Sequence, residues 1–164
     1  MDINRYMVKA KTLRTREWVT GYYYKMAETT HCTIDDCSPV PVHHYILQEM
    51  MTDWELPNQM IKYEIDPNTI CQCIGLKDKN GNVIFEHDIL KGFFYPYKYD
   101  CEHNYYGLCN WFDESKAFMI YTIKNPKSDV SGISHGNTEL MEEWNCAMWE
   151  IIGNEFDNPE LIGE

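Results

Sequence analysis

The sequence predicts a mainly β fold, a barrel or sandwich built from many short strands. Three observations point to it. The dominant apolar periodicity is two, the signature of a half-buried strand. The apolar runs are short and are separated by clusters of Pro, Asn, Gly and Asp, which supply turn chemistry. Asp78-Lys79-Asn80-Gly81 joins two such runs, and an Asn-Gly pair between apolar strands favours a type I′ hairpin because both central residues tolerate positive φ.

The elements follow in chain order. Arg16–Met26 is rich in β-branched and aromatic residues and reads as a strand. His43–Met50, Ile61–Ile65 and Ile70–Leu76 have the same character, as do Val83–Phe85, Asp88–Phe94, Tyr106–Phe112, Ala117–Lys124 and Met148–Gly153. Around the Asn-Gly turn, Cys71–Lys77 is expected to pair antiparallel with Asn82–Leu90, with Gly75, Asn80, Gly81 and Asp88 as turn-forming residues. One short C-terminal helix is expected over residues 137–144. Asn137 would cap it, its acidic residues would sit near the positive N-terminal end, and Leu140 and Trp144 would share a face. Pro159-Glu160-Leu161 adds a final turn. Long loops are expected at residues 27–42 and 125–137. No internal repeat and no low-complexity tract interrupts this pattern.

Length and charge narrow the function. At 164 residues the chain is sized for a single domain over 1–164. It carries 14 Lys and Arg against 26 Asp and Glu, a formal net charge of -12, which opposes direct binding to nucleic acid. The charge is uneven. Residues 1–26 hold six basic and two acidic side chains, whereas residues 139–164 hold eight acidic side chains and no Lys or Arg. No apolar run approaches the roughly 20 residues of a membrane span, so no membrane association is expected. The N-terminal MDINRYMVKAK has no apolar signal region. Seven cysteines, an odd number without an export signal, suit reduced thiols and a cytoplasmic location.

Three segments together carry a family resemblance. They are Glu17-Trp18-Val19-Thr20-Gly21-Tyr22, the run from Asp66 to Leu90 around Gly75-Leu76-Lys77-Asp78-Lys79-Asn80-Gly81, and Ile152-Gly153-Asn154-Glu155-Phe156-Asp157-Asn158-Pro159-Glu160-Leu161. In order and spacing they resemble the YopX-like proteins of phages and prophages. The resemblance implies an SH3-like β-barrel core with long loops, in a small accessory protein of a bacterial cell whose activity is not established. Two positions depart from the family's pattern: His87 stands where it carries glycine, and Ile74 where it carries threonine. If that glycine has positive φ, His87 is strained by about 1–2 kcal/mol.

Several constellations carry possible chemistry. Glu86 and Asp88, two apart on an expected strand, would share a face, where paired carboxylates do acid–base work, bind a metal or, more commonly, cap turns. Cys32, Cys37 and His43 offer thiolate and imidazole ligands for a zinc module or a small metal-dependent enzyme, although their spacing matches no strong zinc pattern. Cys71 and Cys73 would point together into a core. No nucleophile elbow, phosphate-binding glycine loop or zinc-protease motif occurs, and neither an enzyme nor a cofactor is expected. Aromatic residues make up 14% of the chain. The run containing Tyr95, Tyr97 and Tyr99 is too aromatic to bury in one strand and is interrupted by Pro96, so some of these rings are expected on a loop. There they either pack across strands over the barrel end or form a groove for a partner protein, while the surrounding acidity opposes base stacking. The expected function is therefore a non-enzymatic interaction module whose partner is a host or phage protein, with self-association possible. The alternatives are an acidic decoy for a nucleic-acid-binding host protein and the zinc module.

Overall fold

The computed structural model describes residues 3–28, 39–93, 104–124, 136, 138–146 and 148–163. They form a mainly β protein with two antiparallel sheets. The chain divides into two compact units, Ile3–Gln72 and Cys73–Glu164, apart from its first two residues.

The first unit opens with a 3-10 turn at Ile3–Tyr6 and contains β1 (Val8–Lys11), β2 (Trp18–Ala27), β3 (Val42–Met50), β4 (Gln59–Glu64) and the start of β5 (Cys71–Lys77). Their order is β4-β3-β2-β1-β5. The short β1 alternates lysine with small apolar residues in Val8-Lys9-Ala10-Lys11, but over only four positions. It forms because Ala10 is fully buried against Ile46 and Ile65, while Lys9 and Lys11 lie over the Trp18 ring at 5.2 and 5.4 Å. β2 is shared between two neighbours. Its first four residues pair with β1, and Tyr22–Ala27 pair with β3. Gly21 stands at this handover, where a Cβ would lie 2.3 Å from the Leu47 carbonyl oxygen.

β5 leaves the first unit after Gln72, and its later residues pair with β6 (Val83–Phe85) in the second. The antiparallel pairing expected across Asn80-Gly81 is present, but the turn is not type I′. Only Gly81 has positive φ (85°), and its N–H donates to the Asp78 carbonyl at 3.0 Å. An ordinary turn followed by a left-handed glycine closes the hairpin instead. Nor does Asn82–Leu90 run as one strand. Glu86 and His87 make a turn, after which β7 (Asp88–Phe93) joins the second sheet. Glu86 and Asp88 therefore do not share a strand face.

In the second sheet β10 (Thr138–Leu140), β9 (Ala117–Lys124), β8 (Asn104–Phe112), β7 and β11 (Glu150–Asn154) follow in that order. Both faces are covered. Leu90, Tyr105, Cys109 and Ile120 pack with Trp149 on one, and Ile89, Leu108 and Ile123 on the other. Two-sided burial explains the nearly continuous apolar stretches of β7 and β8. The expected barrel is not what these strands form: each sheet has two ends, and neither closes on itself. The expected helix over 137–144 is also displaced. Residues 138–140 pair with Met119–Tyr121 of β9, and among the described residues here only Glu143–Cys146 (α1) is helical. Strand pairing satisfies the backbone of 138–140, and so short an isolated helix would be marginal. The final 3-10 turn is found at Pro159–Leu161.

Candidate functional site

The surface chemistry of the first unit is concentrated on β2, β3 and β4. Cross-strand register places Tyr24, Tyr45 and Glu64 in one row and Tyr22, Leu47 and Lys62 in the next. Met26 lies opposite His43 on the same face. His43 stacks on Tyr45 with ring centroids 6.1 Å apart, and its Nδ1 lies 2.6 Å from a Glu64 carboxylate oxygen. The Lys62 ammonium sits 4.2 Å above the Tyr45 ring. On the opposite face the Tyr23 hydroxyl meets His44 Nδ1 at 2.6 Å. Tyr22, Tyr23 and Tyr24 are all exposed, at 44, 40 and 45%. Three consecutive exposed residues cannot lie on one face of a strand, so the sheet meets solvent on both sides here. The array offers apolar ring area, hydroxyls, one cation and one carboxylate, the chemistry of polypeptide recognition.

The second unit uses its polar groups differently. Asp78 is 5% exposed and serves four donors. Its Oδ1 accepts from the N–H groups of Asn80 (2.9 Å) and Asn82 (2.8 Å), and its Oδ2 from Ile151 N–H and Asn82 Nδ2, both at 3.2 Å. Burial pushes this carboxyl up, but the hydrogen bonds outweigh burial and hold it below its ordinary range. Asp88, 1% exposed, accepts from Phe85 N–H (2.8 Å) and Asn154 Nδ2 (3.1 Å). It caps the turn that Glu86 and His87 form.

His87 has φ 65°, the left-handed backbone that a glycine would adopt without cost. The turn is pinned on both sides, since His87 N–H donates to the Cys109 carbonyl (2.7 Å) and its carbonyl accepts from Glu155 N–H (2.9 Å). The side chain finds compensation in Glu155, 2.7 Å from Nδ1, and in the edge of Phe156. We expect His87→Gly to be more stable than His87→Ala by about 1 kcal/mol, because both lose the Glu155 contact but only alanine keeps the strain. Urea midpoints of the two variants test this, and equal midpoints would show the turn to be relaxed.

The remaining residues singled out in the sequence divide as follows. Gly75 has φ 81° in a bulge between the Cys73–Phe85 and Lys77–Val83 pairs, so it bends β5. Cys71 and Cys73 are fully buried, as their strand positions predict. Tyr95, Tyr97, Tyr99, Cys32 and Cys37 lie outside the described residues. His43 is described and is held by Glu64. Among the described residues, no group of three or more His, Cys, Asp or Glu is placed to hold a metal ion. Burial, with Glu139 adding to it, pushes the Cys146 thiol up to about 11, the opposite of an activated nucleophile. The exposed tyrosines of β2 escaped sequence reasoning because Tyr-Tyr-Tyr in a strand looks like core, and only pairing partners reveal which faces are covered.

Fold and site define a mainly β protein with a tyrosine-rich sheet on one unit and structural carboxylates on the other. The chain belongs to the YopX family: the family model described as YopX protein matches residues 10–163. No curated protein matches the chain. No helix among the described residues is long and apolar enough to cross a membrane.

Proposed function

We propose that this YopX-family chain is a non-enzymatic accessory protein that binds a partner protein, host or phage in origin, through the β2–β3–β4 sheet. One observation carries the reading: Tyr22 and Tyr24 are exposed side by side on a sheet face that also presents His43, Lys62 and Glu64. Tyrosine contributes large contact area with little loss of side-chain freedom, and the polar groups around it give orientation. Support also comes from the ionisable groups of the second unit. Asp78 and Asp88 are occupied by backbone and amide donors within the fold.

Tyr22→Ala combined with Tyr24→Ala should lower partner capture about tenfold while shifting stability by less than about 0.5 kcal/mol. Quantitative affinity purification from host cells, wild type beside variant, reads the first and thermal melting the second. Undiminished capture by the variant would remove the sheet from the interaction. The acidic-decoy reading has its own support in the 16 acidic against 7 basic residues of Cys73–Glu164. It is distinguished by competition, since DNA would displace a decoy's partner and leave a tyrosine-bound partner in place.

A further inference from the structure

The first unit presents an open sheet edge and an exposed tryptophan on the loop beside it. β4 is an end strand, and among the described residues no strand pairs with the outer edge of Gln59–Tyr63. At Glu64 that edge closes, because the Glu64 carbonyl accepts from Leu13 N–H (3.0 Å) and Ile65 bridges Thr12. Open edges are commonly blocked with charge or proline. This one carries a single lysine, Lys62, together with Met60 at 62% exposure.

The loop between β3 and β4 holds Trp54 at 93% exposure, flanked by Met51 and Leu56 at 84 and 62%. It is tightly bonded. Leu56 N–H donates to the Asp53 carbonyl (3.0 Å), the Thr52 hydroxyl reaches the carbonyls of Leu56 and Pro57 (3.1 and 2.9 Å), and Asn58 Nδ2 donates to Glu49 (2.6 Å). Glu55 sits at φ 72°, a strained conformation for a residue with a Cβ. Such bonding holds the loop that carries the indole, which lowers the entropic cost of binding. Glu49, Asp53 and Glu55 lie near it in the chain, and no Lys or Arg occurs between Glu49 and Ile61.

The same unit contains a cleft of about 440 Å³ lined by Leu13, Val19 and Tyr63, with Arg14 and Lys62 beside them. Glu17 and Glu64 also border it, and Glu64 is already engaged by His43. We propose that two copies of this chain pair through antiparallel β4 edges about a two-fold axis at Ile61, each seating Trp54 in the other's cleft. The register links the two features. Centring on Ile61 sets Met60 opposite Lys62 and Asn58 opposite Glu64, so each loop is delivered to the end of the second copy's strand where the cleft lies. Asp53 and Glu55 then approach Arg14. A two-fold contact of this kind is self-complementary and closes without propagating. The inference shares Lys62 and Glu64 with the tyrosine face but uses neither Tyr22 nor Tyr24.

Sedimentation equilibrium of the full-length chain tests it, with circular dichroism as the control for folding. The wild type is expected to be a dimer, and Trp54→Ala to weaken it at least tenfold with an unchanged melting curve, since the indole is almost bare within one copy. Arg14→Glu should also weaken the dimer, and Arg14→Glu with Glu55→Arg should restore it. Amide hydrogen exchange within Gln59–Tyr63 should slow as concentration rises. A monomeric wild type, a dimer indifferent to Trp54→Ala, or failure of the charge exchange to restore association would overturn the arrangement. Tyr22→Ala with Tyr24→Ala should leave the dimer intact, which separates this result from any loss of partner capture.

Discussion

Trp149→Ala is expected to cost about 3–5 kcal/mol, a large part of the 5–15 kcal/mol typical of a folded domain. Trp149 is 1% exposed and is the largest fully buried side chain among the described residues. Its ring meets Tyr105 edge-on at 4.8 Å. Gly92 of β7 lies against it so closely that a Cβ there would approach the ring to 2.8 Å. Its backbone is equally engaged, since the carbonyl accepts from Lys79 N–H of the hairpin (2.9 Å) and the N–H donates to the Cys146 carbonyl (3.1 Å). Removing the indole opens a cavity between strands that cannot collapse without moving the hairpin. Urea denaturation gives the number. A loss below about 1 kcal/mol would mean that the second unit does not depend on this packing.

Asp78→Ala should destabilise by about 3 kcal/mol, because it leaves the N–H groups of Asn80, Asn82 and Ile151 without their acceptor in a protected place. Asp78→Asn should cost less, since one oxygen still accepts. The same carboxyl sets a pH dependence. Its value in the folded state lies below the 3.8 of an ordinary aspartate, so the folded state favours the ionised form. The resulting stability is fully present above pH about 4 and is lost as pH falls through the depressed folded value. Asp66 works in the same direction in the first unit, where a 2.7 Å bond from Arg16, joined by Asn68 N–H, holds its carboxyl low. Arg16 is more than half exposed, so solvent screens much of this contribution. In urea titrations at pH 7 and at pH 3, the wild type should lose more stability than Asp78→Asn. Parallel losses would remove Asp78 from the acid response.

Much of the architecture was legible in the residues because local chemistry and final structure agree. Val83–Phe85 and Ala117–Lys124 are strands over the predicted spans, and the other long apolar runs differ by a few residues at their ends. Their β-branched and aromatic composition suits strands, and the turn residues between them can adopt few other conformations. The hairpin at Gly81 was visible for the same reason. So was the strain at His87, because an expected glycine position named the backbone geometry in advance. The YopX family was legible too, since its central segment coincides with this hairpin and the turn after it.

Other features depended on partners distant in the chain. β1 exists because Trp18 covers its lysines and Ile46 and Ile65 receive Ala10, and nothing in Val8-Lys9-Ala10-Lys11 announces those neighbours. Residues 138–140 carry a helix-like sequence yet become a strand, because the β9 edge satisfies their backbone. The tyrosines of β2 resemble core residues, yet all three are exposed and they alternate onto both faces of the strand. Thus the sequence by itself determined the β class, the principal strands, the hairpin and the family, all of which follow from short-range periodicity and turn stereochemistry. Tertiary structure alone decided strand order, the open sheets and the location of the exposed aromatic surfaces, because burial is a property of the groups that meet and not of the residues taken one by one.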